Sequence, residues 1–441
     1  VCRHRNIIFL DVKRGFLSRL MKCSVATAGE ERYNPDCLLS LKLNRWVGTT
    51  SSRPKLSQTV FGQLFQQLGS VDSVSFRTKQ RPWQVTFEGE AGEDAGGPFR
   101  SSLMFFCDDL MSGKLPLFIP TPNQRGGVGS DRHNFTLNPE ARAEWGRYYE
   151  FIGKILGVGL RHETNCPINM TSLFWKFLVG SAPDLEDISN LDQGTASFIA
   201  CMREMGKTEL RAVCDGLKWT MHNSDGGVTV LHQNEDSPVG VSDIPDYVDR
   251  VVKFRLNESA IAASWLLRGL RHVVPVDTFR LFSWNELELE MCGKSTLDVE
   301  LLKRNTVFEF GDTVFQGWFW SVLDTLTPMQ QAGCLRFWAA RDRLPLTDEG
   351  MGECKFRIVE MRRRGDMDKC LPEAATCSFT LTLPRYSSPV VMKNRLIIAI
   401  ENCSEYDLDG AARGVVLSED TSIESASEDD NDNDDDDSSS G

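Results

Sequence analysis

The sequence has no CxxC pair, no apolar run of membrane-spanning length, no histidine after position 272 and no surplus of positive charge. Each absence excludes something. Thirteen cysteines are scattered along the chain without CxxC spacing, which argues against zinc-ribbon, thioredoxin-like and iron–sulfur readings; no metal and no organic cofactor is expected. Scattered thiols in a long chain fit a reducing, intracellular location, cytoplasmic first and nuclear second. A membrane span needs roughly 18 apolar residues; the nearest stretch, Phe151–Leu160, is interrupted by Lys154. The block Ile7–Leu10 is too short for the core of a signal peptide, and the chain opens on Val1. It is therefore expected to be a piece of a longer polypeptide, with targeting information elsewhere. The net charge is −13, yet residues 417–441 alone hold eleven Asp and Glu and no Lys or Arg. The rest is close to neutral, which excludes nucleic acid as the main partner, because phosphate binding needs a basic face.

What remains is a chain of 441 residues, 41% of them hydrophobic, enough for two packed units and a tail. Residues 1–22, with six Lys and Arg and with Phe9, Val12, Phe16, Leu17, Leu20 and Met21 at near-helical spacing, predict an amphipathic helix packing on the domain C-terminal to it. Periodicity predicts helices at about 57–68, 140–160, 170–180, 195–205, 246–268, 285–291, 312–325, 328–340 and 388–402. Alternation predicts strands at Trp83–Phe87, Phe356–Val359 and Ser378–Leu383, and Asn223–Gly227 reads as a hairpin turn. Residues 48–55 and 120–139 read as loops, and 408–441 as a disordered acidic tail. The class is α+β and helix-rich. The glycines of Glu88–Arg100 suggest a phosphate cradle, but Glu88, Glu90, Glu93 and Asp94 carry the wrong sign and no P-loop lysine is present after them. A tight acidic turn before a helix fits better.

Most of the thiols sit in apolar helical stretches and read as small hydrophobes. Cys377 differs. It ends the run Leu371-Pro372-Glu373-Ala374-Ala375-Thr376-Cys377, directly before an alternating strand. A proline-marked loop at a strand end leaves a thiol accessible, as nucleophilic chemistry requires. With no histidine beyond 272, a Cys–His hydrolase would have to borrow its base from the first unit. Exchange of one thioester for another is nearly isoenergetic and asks less of the attacking thiol. The residues favour a carrier thiol over a protease nucleophile.

At this point the chain resembles a known family, the HECT-type E3 ubiquitin ligases. The resemblance is carried by Leu371–Cys377, by Leu381, Leu383, Pro384, Tyr386 and Ser388, and by Leu396 and Ala399-Ile400. It extends to Phe87, Gly89, Glu90, Gly92, Asp94, Gly96 and Gly97 with Arg100, to Leu185-Glu186-Asp187, to Glu286-Leu287-Glu288 with Cys292-Gly293, and to Asp11, Lys13 and Phe16. Together these run through about residues 5–405 in one order. The resemblance implies a bilobal HECT-like fold. Its helix-rich N-lobe would span 1–306, with a small E2-binding subdomain at about 183–250. A hinge at 307–310 would lead to a smaller α/β C-lobe, 311–407, carrying the catalytic Cys377. It implies a ubiquitin-charged E2, ubiquitin and protein substrates as partners, with substrates recruited by upstream regions. Cys377 would accept ubiquitin as a thioester and pass it to a substrate lysine. Thr376 would hold the loop and hydrogen-bond near the oxyanion, Leu371 and Pro372 would shape it, and Phe198 and Met202 would offer an apolar E2 contact. Relatives often carry Phe after the cysteine and His two residues before it; this chain has Ser378 and Ala375. Those two positions keep a second reading open, a catalytically weak or inactive scaffold that binds E2 or ubiquitin.

Overall fold

The computed structural model describes residues 2–25, 38–45, 55–89, 96–129, 133–232, 237–294, 296–339, 341, 343–344, 355–363 and 365–402. The acidic tail, most of the 48–55 loop, the Glu90–Asp94 turn and the Cys377 side chain lie outside that description.

The chain opens with α1 (Leu10–Cys23), β1 (Leu39–Leu43), α2 (Val60–Leu68), β2 (Trp83–Phe87), α3 (Gly97–Met111), β3 (Phe118–Pro120), α4 (Pro122–Gly126), β4 (Phe135–Leu137), α5 (Gly146–Arg161) and α6 (Ser172–Val179). It continues with α7 (Leu185–Leu191), α8 (Gln193–Glu204), α9 (Lys207–Cys214), β5 (Thr220–His222), β6 (Val228–Val230), α10 (Ile244–Asn257), α11 (Ala260–Val273) and α12 (Trp284–Cys292). Last come α13 (Val299–Arg304), β7 (Thr306–Phe308), α14 (Thr313–Asp324), α15 (Pro328–Ala339), β8 (Phe356–Glu360), β9 (Glu373–Ala375), β10 (Thr380–Leu383) and a final helix, α16 (Pro389–Asn402).

Three cores organise these elements. The main core gathers α1–α3, α5, α6, α11 and α12 around the parallel pair β1–β2. Its spine is the packing of α5 on α11, where the backbones meet at two glycines. A Cβ on Gly153 would lie 2.0 Å from the Leu266 carbonyl oxygen, and one on Gly269 would lie 1.9 Å from the Glu150 carbonyl oxygen. Only glycine permits that approach. α2 begins where the Thr59 hydroxyl accepts the Gly62 N–H, and it buries Phe61, Leu64 and Leu68.

A second, small core joins Ile188, Ile199, Met202, Trp219, Tyr247 and Val251 from α7, α8, α10 and the β5–β6 hairpin. An ion network pins this unit together. Arg255 donates to Asp192 and Glu258, at 2.9 Å each, and to the His222 carbonyl, while Ser224 donates to Glu258.

The third core belongs to the C-terminal unit. Its four-stranded sheet runs β7-β8-β10-β9, parallel except for the β10–β9 pair. α14, α15 and α16 cover it, with Trp338, Phe319, Phe356 and Leu381 fully buried. Leu301 and Leu302 of α13 also pack in this core. Thr306–Phe308 is a strand of its sheet. Packing therefore gathers into the C-terminal unit residues upstream of 307, and part of the segment expected as a hinge is strand.

The structure corrects several expectations. Residues 120–139 are not a continuous loop, since they hold the end of β3, the short helix α4 and β4. The single helix expected at 246–268 is two, α10 and α11, broken where Glu258 turns inward to Arg255 and Ser224. The strand expected from Ser378 starts at Thr380, because Ser378 belongs to the preceding turn. α1 docks by part of its apolar set, since Leu17 is buried in the main core and Leu10 and Met21 pack against it. Phe9, Val12 and Phe16 are exposed, whereas Lys13 is buried with its Nζ 2.6 Å from Glu286, and Arg14 bonds Glu290 at 2.7 Å. Leu17 together with the ion pairs to α12, not Phe9, Val12 and Phe16, seats that helix.

Candidate active site

Cys377 lies at the tip of a hairpin. β9 and β10 pair antiparallel, Ala375 opposite Thr380, and the connection is a one-turn 3-10 segment, Thr376–Ser378, then Phe379. The sequence builds this turn by contrast. Pro372 is buried and Leu371 half-buried before β9, while Ala375 and Ser378 face solvent on either side of the cysteine. Phe379 then adopts a left-handed backbone, φ 50° and ψ 40°, a conformation costly for a bulky residue, on the order of 1 kcal/mol or more.

Phe379 is held there from several sides. Its ring, 3% exposed, stacks on Phe356 at 5.2 Å and 17°, and Phe356 meets Trp338 edge-on at 4.9 Å. Trp338 Nε1 donates to the Phe379 carbonyl at 2.8 Å, and the Arg357 N–H donates to the same oxygen at 2.9 Å. The Ser378 and Thr380 hydroxyls lie 2.9 Å apart, closing the solvent side. Below the loop, the Asp368 carboxylate accepts from the Ser387 hydroxyl and N–H, which hold its pKa below the usual carboxylate range. Tyr386 donates to the Cys370 carbonyl at 3.1 Å.

The turn also meets the main core. Arg100, in the first turn of α3, donates through Nη2 to the Thr376 carbonyl at 3.2 Å, and its guanidinium carbon lies 4.6 Å from the Phe379 ring centre. Arg341 lies 5.2 Å from the same ring. Farther along α3, Asp108 accepts a two-pronged bond from Arg336 of α15 at 3.0 and 3.1 Å. Arg343 bonds Asn169 at 2.8 Å and the Gly293 carbonyl at 3.2 Å.

Of the residues singled out from sequence, Leu371, Pro372, Thr376 and Cys377 come together in this hairpin. Thr376 is 1% exposed, which suits holding the loop and not facing a reacting carbonyl. Phe198 and Met202 sit in the small unit, away from the hairpin. Met202, at 5% exposed, is part of the small core. Phe198 is half-buried, edge-on to Tyr247 at 6.2 Å. Sequence reasoning missed Arg100's contact with the turn and the Asp108–Arg336 pair, whose partners are more than 200 residues apart. Among the described residues no cluster of His, Cys, Asp and Glu could hold a metal, and no helix is long and apolar enough to cross a membrane.

The profile of the HECT-domain (ubiquitin-transferase) family matches residues 104–409. The chain belongs to the HECT family. Its α+β architecture, a helix-rich N-terminal part and then a smaller unit with a mixed sheet, is that family's bilobal fold. Among relatives, the chain is 31% identical over 384 residues to the human E3 ubiquitin-protein ligase HERC2, covering 85% of this chain and 8% of that protein. It is 26% identical over 366 residues to the E3 ubiquitin-protein ligase TOM1 of Saccharomyces cerevisiae, covering 80% and 11%. It is 27% identical over 351 residues to mouse HUWE1, also an E3 ubiquitin-protein ligase, covering 73% and 7%. The chain thus spans about a tenth or less of the length of these HECT relatives.

Proposed function

We propose that this HECT domain accepts ubiquitin from a charged E2 on Cys377 and transfers it to a substrate lysine. The Cys377 thiolate attacks the carbonyl of the E2–ubiquitin thioester. A new C–S bond forms, the C–S bond to the E2 breaks, and the E2 thiolate leaves. The lysine amine then attacks the new thioester, the C–S bond to Cys377 breaks, and the amide forms as the nitrogen loses its proton. The first step needs no strong base, because one thioester replaces another. That fits a C-terminal unit without histidine.

The observation that carries this reading is the placement of Cys377 at the tip of a hairpin whose next residue but one is locked by five partners. A carrier thiol must be presented rigidly to two large partners in turn. Pro372 and Thr376 serve as the loop's buried support, with the half-buried Leu371 beside them. The small unit of α7–α10 is the platform for the E2, as the family resemblance implies, with Phe198 the more exposed of the two expected contacts.

The test is a single-turnover assay. A panel of E2s charged with labelled ubiquitin is mixed with the chain and resolved on non-reducing gels beside Cys377→Ser. A thiol-sensitive adduct on the wild type, replaced in the variant by none or by a thiol-resistant ester, is the expected result. E2 binding without any adduct would instead favour the scaffold reading and direct attention to Ser378 and Ala375.

A further inference from the structure

Helix α3 grips the C-terminal unit at two points. In its first turn Arg100 binds the Cys377 turn twice, by a hydrogen bond to the Thr376 carbonyl and by lying over the Phe379 ring. Two helical turns later Asp108 takes the Arg336 fork from α15. The two grips are joined through α15, because Trp338 donates to the Phe379 carbonyl. Gly96, just before α3, has φ +114°, and a Cβ there would meet Arg100 Nη1 at 3.2 Å, so this glycine leaves room for the guanidinium. Only a planar guanidinium can stack on a ring with its face and donate in its own plane.

We propose that Arg100 is a positioning residue for the second step, transfer from Cys377 to the amine. It fixes the turn against the main core through Phe379, the aromatic that this chain carries two residues after the cysteine. The inference rests on Cys377 being the ubiquitin acceptor. Both grips tie the hairpin to the main core, not to the small unit. A C-terminal unit reaching toward an E2 on the small unit releases them; one discharging onto a lysine keeps them.

The test separates the two steps in the full chain. Loading is monitored with ubiquitin-charged E2, and discharge of the isolated adduct with free lysine. Arg100→Ala and Arg100→Lys are expected to load within about twofold of wild type and to discharge about tenfold more slowly, the scale of one charged hydrogen bond with its ring contact. Asp108→Arg and Arg336→Asp each slow discharge while loading stays near wild type, a split that a merely structural role for these residues would not produce, and the double exchange restores discharge. Normal discharge by both Arg100 variants overturns the clamp while leaving Cys377 as acceptor. Equal losses of loading and discharge overturn it as well. A wild-type chain that forms no adduct with any E2 removes the proposed function and the clamp together.

Discussion

At the residue scale, this domain depends on a few buried polar groups that packing has left no alternative. Arg255 is the clearest. It satisfies Asp192, Glu258 and the His222 carbonyl at once, and burial raises the Glu258 pKa against the lowering effect of Arg255 and Ser224. Removing one partner of such a network costs about 3–5 kcal/mol, since the other charges stay buried. Arg255→Ala is expected to destabilise by that amount, with loss of protection in α8, α10 and the β5–β6 hairpin ahead of the main core. Hydrogen exchange resolved by segment checks it. None of this network could be read from sequence. Arg255, Asp192 and Ser224 are ordinary helix and turn residues until folding brings Arg255 to 2.9 Å from Asp192 and 3.1 Å from Ser224. The loop around Cys377 was legible for the opposite reason: Pro372 and Thr376 are close in the chain, so the local pattern already described a turn before a strand. Phe379 was not. Its place in an alternating run hides a left-handed turn that only Phe356, Trp338, Arg100 and Arg341 explain.

At the scale of elements, the strongly periodic pieces matched their sequence pattern. Trp83–Phe87 alternates and is β2, the Asn223–Gly227 turn joins β5 to β6, and α2, α14 and α15 lie where their apolar spacing puts them. Misreadings came where punctuation misled. Glycines and prolines between 120 and 139 mark short strands and α4 as well as turns, and no Gly or Pro announces the break between α10 and α11. The α5–α11 spine gives a sharp prediction. At both glycines the added Cβ meets backbone, so Gly153→Ala and Gly269→Ala each force the helices apart at a cost of about 2–3 kcal/mol or more, measurable by denaturant unfolding. A second prediction concerns the start of α2, where Asp109 accepts the Phe61 N–H at 2.9 Å. Burial pushes the Asp109 carboxyl up to about 6, partly opposed by that bond. A raised folded value means the native state holds a proton that the unfolded chain has already released, so this group's contribution to stability falls as pH rises from about 4 to 6. Relative to wild type, Asp109→Asn is expected to remove a slope on the order of 1 kcal/mol per pH unit across that window. Paired unfolding titrations of the two proteins check it, since all other groups cancel in the difference.

For the whole molecule, the arrangement is three cores with charged joints. α1 is seated by Lys13 and Arg14 on α12, and the C-terminal unit by Arg100, Arg336 and Arg343 on the main core. Joints made of arginine forks and ring faces can be released and remade, whereas a continuous apolar seam would not open. The bilobal class was legible in the motif order. The packing of α13 and β7 with the C-terminal sheet was not, because Leu301 and Leu302 read equally well as the end of either unit. Exposed charged joints are screened by salt. Raising the salt is therefore expected to loosen the C-terminal unit without unfolding any of the three cores, seen as greater exchange at the β9–β10 hairpin and α3 while α5 and α11 stay protected.

In the proposed reaction Cys377 itself carries ubiquitin. Intact-mass measurement of the chain after mixing with a charged E2, with peptide mapping under acid, tests it most directly. One added ubiquitin is expected, located on the peptide containing Cys377 and removed by a small thiol. Ubiquitin found on another cysteine, or on lysine alone from the first time point, would contradict it.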